Sequence, residues 1–502
     1  MYREDVIKIF RQGFDNDKYC KLQSSKIKER ISLFGERLYL EFGGKIFDDF
    51  HASRVLPGFA PDSKIKMLVE LKDDAEIIVS INAEDIEKNK VRGDLGITYD
   101  HDVLRHIDAF RGYGLYVSAV VMTRYTASPA AEAFKNKLEN LGLKVYKHYA
   151  IAGYPHNIPL IVSEAGYGRN EYVETTRSIV VVTAPGPGSG KMATCLSQIY
   201  HESKMGRKSG YAKFETFPIW NLPLKHPVNL AYEAATADLA DINMIDPYHM
   251  QEYGEIAVNY NRDIEIFRVL DSMMTKIFGK CPYKSPTDMG VNMAGYAIYD
   301  DEAVRTAAEQ EIIRRYYKTV CARRKGRAEA EEVRKIQLLM EECGITTSDR
   351  PAVPMARDIA ESTGRPGVAI QLPDGHIVTG KTKELLGASS AALLNALKYL
   401  SGIDDNIMLI SPEVISPIMA LKSDHLGSKN PRMHTDELLI ALSICAQSDE
   451  YAARALSAIG RLRGSQVHST VILSHADENV FTKLGACTTC DPVYEEKCLF
   501  HI

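Results

Sequence analysis

Five consecutive β-branched residues, Ile179 to Thr183 in SIVVVTAPGPGSGKMAT, run straight into a turn that holds Gly186, Gly188 and Gly190 and ends on Lys191. A helix-compatible segment, MATCLSQIYHESKMG, follows at once. β-Branched side chains suit a pleated, buried strand. A strand that turns through glycines into a helix is a unit of a layered, mostly parallel α/β sheet.

The same turn has a chemical reading. Glycines without a Cβ let backbone N–H groups converge on an anion; the helix N-terminus adds partial positive charge and a lysine adds a full one. Gly186, Gly188, Ser189, Gly190 and Lys191 are therefore the candidate phosphate-binding residues. The turn resembles the phosphate loop of nucleotide kinases, where Gly-Ser-Gly-Lys is common, but it departs from G-x-x-x-x-G-K-[ST] at both ends. Pro185 stands at the first glycine position and Met192 at the magnesium-binding hydroxyl, with Thr194 out of register. No clean apolar strand ends on a second magnesium ligand; Asp246, after INMI, comes nearest. Anion binding is thus better supported than ATP hydrolysis. The competing reading is a structural turn whose glycines only permit close helix–strand packing, with Lys191 solvated.

Strand and helix patterns alternate on either side of this turn. GERLYLEFGGKIF, AEIIVSI, LYVSAVVMTRY, VYKHYAI and IPLIV read as strands, and KIKMLVELK, DHDVLRHIDAFRGYG and SPAAEAFKNKLENLG as helices. This predicts an α/β domain over 1–240 with a P-loop-like turn. From 241 to 345 apolar residues recur at three and four between dense charges, which predicts a helical middle domain. Residues 346–502 return to α/β: VAIQL and HIVTG flank the hairpin turn PDG, SSAALLNALKYLSG is helical, and MLIS, VHSTVILS and CTTCDPVY read as strands. A smaller, three-layer C-terminal α/β domain is expected.

Composition narrows the function. A chain of 502 residues with net charge −5 is not a general nucleic-acid or acidic-membrane binder. The N-terminus, MYREDVIKIF, has no apolar signal region, and no apolar run approaches the roughly 18 residues of a membrane span. Nine scattered cysteines fit reduced thiols in a cytoplasmic protein better than a disulfide framework. Cys487-Thr-Thr-Cys490, with Cys498 and His501 nearby, has no second CxxC at zinc-ribbon spacing, and no metal set is assigned.

Other polar segments invite two readings each. In KVRGDLGITYDHD, Arg92, Asp94, Asp100 and His101 sit between a strand and a helix, where ligands bind in α/β sheets, and are the candidate catalytic residues; an aspartate cap with local ion pairs is the alternative. SEAGYGRNEYVETTR (163–177), just before the glycine-loop strand, reads as a ligand-closing loop or a polar connector. KFETFPIWNLPLKHPVN (213–229), with Trp220, Lys225 and His226, reads as a substrate lid or a packed loop. NYNRD (259–263) and KSPTDMGVNMAG (284–295) read as a cleft lining or as caps and buried networks. The charges of 314–335 read best as a solvated helix face. PDGHIVTG and its following helix have the look of a zinc deaminase, but Ser389-Ser390-Ala391 stands where those enzymes carry His-x-Glu, and the Pro-Cys-x-x-Cys is missing.

VRGDLGITYD, VVVTAPGPGSGKMATCLSQIYHE, KFETFPIWNLPLKHPVNLAYEAATADL, AVNYNRDIE, SPTDMGVNMAG and HTDELLIALS…HSTVILS together resemble a bacterial family known as domain of unknown function 1846, over nearly the whole chain. The resemblance implies an α/β core, a helical middle, a C-terminal α/β subdomain and a self-associating homo-oligomer, and it transfers no catalytic residues. The expected function is an enzyme acting on a nucleotide or another small phosphorylated ligand by phosphoryl transfer or ATP-dependent ligation, with ATP or another nucleotide and Mg²⁺ as cofactor. The alternative is a non-catalytic phosphometabolite sensor or scaffold. A further alternative takes LEFGGK as the phosphate turn, with Lys45 as its charge.

Overall fold

The computed structural model describes residues 11–47, 49–92 and 96–495, and the fold is α/β. It divides into two units, one comprising Gly13–Glu233 with Asp241–Asp301, the other Ala234–Ala240 with the chain from Glu302 onward. The helical stretch expected over 241–345 is thereby shared between them. Its first part buries Phe267, Leu270 and Met273 against the sheet of the first unit. Its later part belongs to the second unit, where Tyr317 packs on His468.

The first unit is built on strands β1 (Arg37–Phe42), β2 (Ala75–Asn82), β3 (Tyr116–Thr123), β4 (Val145–Lys147), β5 (Ile179–Thr183), β6 (Ser209–Phe214) and β7 (Gly290–Val291). They form one seven-stranded sheet in the order β7-β6-β1-β5-β2-β3-β4. Every neighbouring pair is parallel. Alternate residues of each strand feed opposite faces. Leu38, Leu40, Ile179 and Val181 join one core with Val103, Ile107 and Phe110 of helix α2 (Tyr99–Gly112) and Ile27 of helix α1 (Asn16–Phe34). Tyr39, Val180 and Val182 join the other with Leu196 and Ile199 of helix α3 (Lys191–Lys204) and Phe267 of helix α4 (Asn261–Phe278). A strand covered on both faces needs no polar residues, which is why β5 reads as an unbroken β-branched run.

The topology positions the site. From β1 the chain crosses to β2 and continues outward to β3 and β4 before returning to insert β5 between β1 and β2. From β5 it crosses in the other direction, to β6 beyond β1. Connections thus leave the neighbours β1 and β5 toward opposite sides of the sheet, and at such a switch point their loops part and open a crevice at the strands' carboxyl ends.

Two expected strands are not strands. Residues Ile158–Ile161 form a helical turn, because Pro159 lacks an N–H for a sheet ladder and sits where a helix starts. Residues 408–411 run without strand pairing into Pro412, which opens a helix.

In the second unit, helix α5 (Ala352–Thr363), β8 (Gly367–Gln371), β9 (Ile377–Lys381), helix α6 (Ala388–Ser401), helix α7 (Thr435–Cys445), β10 (Gln466–Ser469), helix α8 (His475–Lys483) and β11 (Cys487–Cys490) follow in order. The sheet, β9-β8-β10-β11, is antiparallel except for β10 and β11. Ala369 meets Ala352 and Ala356 of α5 on one face, and Val368 and Ile370 meet Ala392 and Leu393 of α6 on the other, giving the expected three layers. Among the described residues no helix is long and apolar enough to cross a membrane.

Helix α3 is tied to β1 through Glu202, which is 1% exposed. Its carboxylate takes hydrogen bonds from Tyr39 Oη at 3.0 Å and Tyr172 Oη at 2.6 Å, and pairs with Arg37. Removing one partner of a buried pair leaves the other charge uncompensated, so Glu202→Ala is expected to cost about 3–5 kcal/mol. Urea melts followed by Trp220, the chain's one tryptophan and part of the first unit, measure this directly.

Candidate functional site

The glycine loop spans from the end of β5 to the start of α3, at the switch point. Gly190 has φ +85°, and a Cβ there would stand 2.8 Å from Thr123, so only glycine fits both the conformation and the space. A Cβ on Gly186 would stand 2.3 Å from the Tyr99 hydroxyl. Ser189 Oγ closes the turn by donating to Gly186 O at 3.0 Å, and Thr123 Oγ1 holds it to β3 by donating to Ser189 O at 2.9 Å. Gly190, as the N-cap, has no side chain to cap α3. Among the described residues, the first N–H of this stretch with a protein acceptor is that of Thr194, which bonds Gly190 O at 2.9 Å. The N–H groups from Gly188 to Ala193 are left for another acceptor, at the positive end of a helix dipole.

Lys191 adds charge to this cradle, and among the described residues it forms no hydrogen bond or ion pair. Burial pulls its ammonium below the ordinary lysine value, Glu41 acts against that pull and Lys213 acts with it. Glu41 is the next-to-last residue of β1 and lies in register with Lys213 of β6 and Val182 of β5. Tyr211 Oη donates to Glu41 at 2.6 Å.

Lys213 is the hub of the neighbouring cluster. Its ammonium contacts Asp263 in the first turn of α4, the hydroxyl of Tyr260, and Glu215 at 2.9 Å. Desolvation opposes its charge, yet Asp263 and Glu215 outweigh it and hold the ammonium well above the ordinary lysine value. Burial pushes Glu215 up to about 7; Lys213 works against that rise and Asp263 adds to it. A carboxyl poised near neutrality can take or give a proton at working pH.

Glu215 lines a small cavity of about 10 Å³, room for a single water, where three distant segments meet. Trp220 belongs to the same loop as Glu215, Asn259 to the polar segment before α4, and Thr287 and Asn292 to the segment around β7. Asn292 knits them together: its carbonyl accepts from Trp220 Nε1 at 2.9 Å and its amide donates to Pro218 O at 2.8 Å. Thr287 is anchored to Asp246 at 2.6 Å.

The expected site residues divide. Gly186, Gly188, Ser189, Gly190 and Lys191 stand together between the end of β5 and the start of α3. Arg92 directs its guanidinium to Asp102 at 2.8 Å, and Asp102 also takes Arg105 at 2.8 Å. Asp100 and His101 lie in the first turn of α2, with His101 exposed and its Nδ1 2.6 Å from Thr98 Oγ1. Asp94, Cys498 and His501 lie outside the described residues. This segment reaches the glycine loop through Tyr99, whose hydroxyl sits over Gly186. His226, read as part of a lid, is buried and held to Asp301 at 2.9 Å. Lys45 is exposed in the turn after β1. Glu41 went unread because a single carboxylate in RLYLEF looks like an ordinary solvated residue; its signal is that it shares the face of Tyr39, two residues before it, which is buried.

Magnesium fits this loop poorly. Met192, at the place of its hydroxyl ligand, packs against the apolar core, and Thr194 is buried and accepts from Ser80 at 3.2 Å. Among the described residues no group of three His, Cys, Asp or Glu side chains could hold a metal ion.

A half-buried ammonium with no partner among the described residues costs stability, so Lys191→Met is expected to leave the first unit at least as stable as wild type in Trp220-monitored urea melts. Glu215 adds a pH dependence. Its folded value of about 7 lies above the unfolded 4.5, so the folded state holds the extra proton in between. Stability therefore falls as pH rises through that window and levels off above it. Glu215→Gln is expected to flatten the loss seen between melts at the two ends of the window.

Residues 12–344 match the N-terminal family model of domain of unknown function DUF1846, and residues 348–500 match its C-terminal model. A UPF0371 protein of Streptococcus pneumoniae (strain JJA) is 57% identical over 490 residues, covering 98% of this chain and 99% of the relative. A UPF0371 protein of Streptococcus thermophilus (strain CNRZ 1066) is likewise 57% identical over 490 residues, with the same coverage. Two family models that together span the described chain, with relatives of this identity along its length, place it: the chain belongs to the DUF1846 family.

Proposed function

We propose that this protein is an enzyme that binds a small phosphorylated metabolite where β1, β5 and β6 end. The observation that carries the reading is the run of N–H groups from Gly188 to Ala193 without acceptors among the described residues, beside a Lys191 ammonium that has no partner among them. A phosphate supplies acceptors and negative charge to both at once. Glu215, with its pKa near 7 and Lys213 against it, is the proposed acid or base for a group transfer on the bound metabolite.

The chemistry of the loop favours a phosphorylated metabolite over ATP with Mg²⁺, because Met192 and Thr194 supply no free hydroxyl for the metal. The same two residues favour a second reading, a sensor that holds a phosphometabolite without turning it over. Self-association remains part of either proposal.

Isothermal titration with pyrophosphate, ATP and sugar phosphates, with and without magnesium, tests binding. A charge-assisted contact contributes about 1.5–3 kcal/mol, so Lys191→Ala is expected to weaken binding roughly 10- to 100-fold. Binding unchanged in Lys191→Ala, or none of these phosphates bound by a folded sample, contradicts the proposal. Glu215→Gln that abolishes turnover and spares binding supports the enzyme; binding without turnover in wild type supports the sensor.

A further inference from the structure

The second unit carries a larger concavity of its own, about 1060 Å³, at one end of its sheet. Three helices begin on it: α6 with Ala388 and Ser389, α7 just after His434, and α8 with His475. Two of these starts are capped by side chains. Ser474 accepts from Asp477 N in α8, and His434 and Glu437 form a capping box in α7. The start of α6 is not: its N-cap is Gly387, with no side-chain hydrogen bond. Among the described residues its first N–H to find a protein acceptor is that of Ala391, which bonds Gly387 O at 3.0 Å.

Independent observations at the same place point to a ligand. Ser389 lines the concavity and is 6% exposed; among the described residues its hydroxyl has no protein partner and is open to solvent. Thr382, also lining it and 3% exposed, has an unpartnered Oγ1. A buried hydroxyl such as that of Thr382 is rarely left without a partner unless something else fills the role. The charge around them is one-sided. Arg432 is paired with Glu495 at 2.8 Å, and Asp477 with His434 at 3.2 Å. Arg324, Lys325, Arg327 and Lys429 also line the concavity and form no ion pair among the described residues, with Glu478 the remaining carboxylate.

The Ser474, His434 and Asp477 cluster invites a hydrolase reading, which its geometry rejects. Both Ser474 Oγ and Asp477 Oδ2 stand 3.2 Å from the same ring nitrogen, Nδ1 of His434. A relay needs nucleophile and carboxylate on different nitrogens. Ser474 Oγ also donates to Asp477 at 2.7 Å, and Asp477 receives Thr435 N at 2.9 Å, so the cluster joins the starts of α7 and α8. The rim is also firmly set: Ser390 Oγ donates to Met433 O at 2.8 Å, and Lys422 to Arg432 O at 2.7 Å.

We propose that this concavity is a second ligand site, for a phosphorylated small molecule of about mononucleotide size. The phosphate sits on the N–H groups and hydroxyl at the start of α6, with Thr382 beside it and Arg327 and Lys429 closing over the charge. The volume, about 1060 Å³, stands just above the roughly 300–1,000 Å³ of small-molecule pockets and leaves room for such a ligand with water. The site stands on different residues from the glycine loop and does not depend on the reading given for that loop.

The test is isothermal titration of the full chain with pyrophosphate and with AMP, in the Lys191→Ala background, where binding at the glycine loop is weakened and the two sites separate in affinity. One tighter, saturable site is expected there. Ser389→Asp puts a carboxylate where the phosphate should sit and, at a helix start, suits the fold. It is expected to weaken binding at least about 30-fold, on the order of 2 kcal/mol. Arg327→Ala with Lys429→Ala, two exposed changes that spare packing, is expected to weaken it about tenfold and flatten its salt dependence. No saturable binding in Lys191→Ala, or binding unmoved by both Ser389→Asp and the double variant, overturns the proposal.

Discussion

The ammonium of Lys213, enclosed by Asp263, Glu215 and Tyr260, is the constraint on which the candidate site depends. Taking a lysine out of water costs several kcal/mol unless carboxylates surround it. Those carboxylates come from the end of β6 and from the first turn of α4, so the charge balance that keeps Lys213 folded also docks α4 against the sheet. Glu41 brings β1 into the same field, in register with Lys213. Three carboxylates, Glu41, Glu215 and Asp263, thus face two lysines, Lys191 and Lys213. Glu215 relieves the excess by holding its proton up to about neutral pH.

That arrangement also sets the surroundings of Lys191, which has no hydrogen bond or ion pair among the described residues. Glu41 is near enough to favour its ammonium, but the Glu41 carboxylate accepts from Tyr211, and the Lys213 charge pushes back. The lysine stands at the switch point beside N–H groups that have no acceptor among the described residues. Sheet topology decides where the crevice opens, and the electrostatics support the anion site proposed there, next to a carboxyl that titrates near neutrality.

Much of this was legible in the chain. The β-branched run before the loop marked a buried parallel strand, and Pro185, Met192 and Thr194 marked the departure from a magnesium-binding loop. Both follow from local chemistry, and Thr194 indeed spends its hydroxyl on Ser80. The polar segments around Trp220, Asn259 and Thr287 stood out as more than surface, but their meeting in one cavity is a tertiary event that no local pattern encodes. Ile158–Ile161 misled because an apolar run of that length suits strand and helix alike until Pro159 is weighed. Arg92 drew attention as a catalytic group, whereas Asp102, a buried residue of α2, takes its charge. The helical stretch after 241 has one periodicity throughout, so its division between two units could not be read from spacing.

The central claim is that the loop from Gly188 to Ala193 is an anion cradle. A crystal structure of the protein soaked in tungstate, a heavy phosphate mimic with an anomalous signal, tests it most directly. The account predicts tungstate oxygens about 2.7–3.2 Å from N–H groups of Gly188 to Ala193 and a contact from the Lys191 ammonium. An empty loop in crystals that bind tungstate elsewhere, or Lys191 turned away into solvent, would contradict it.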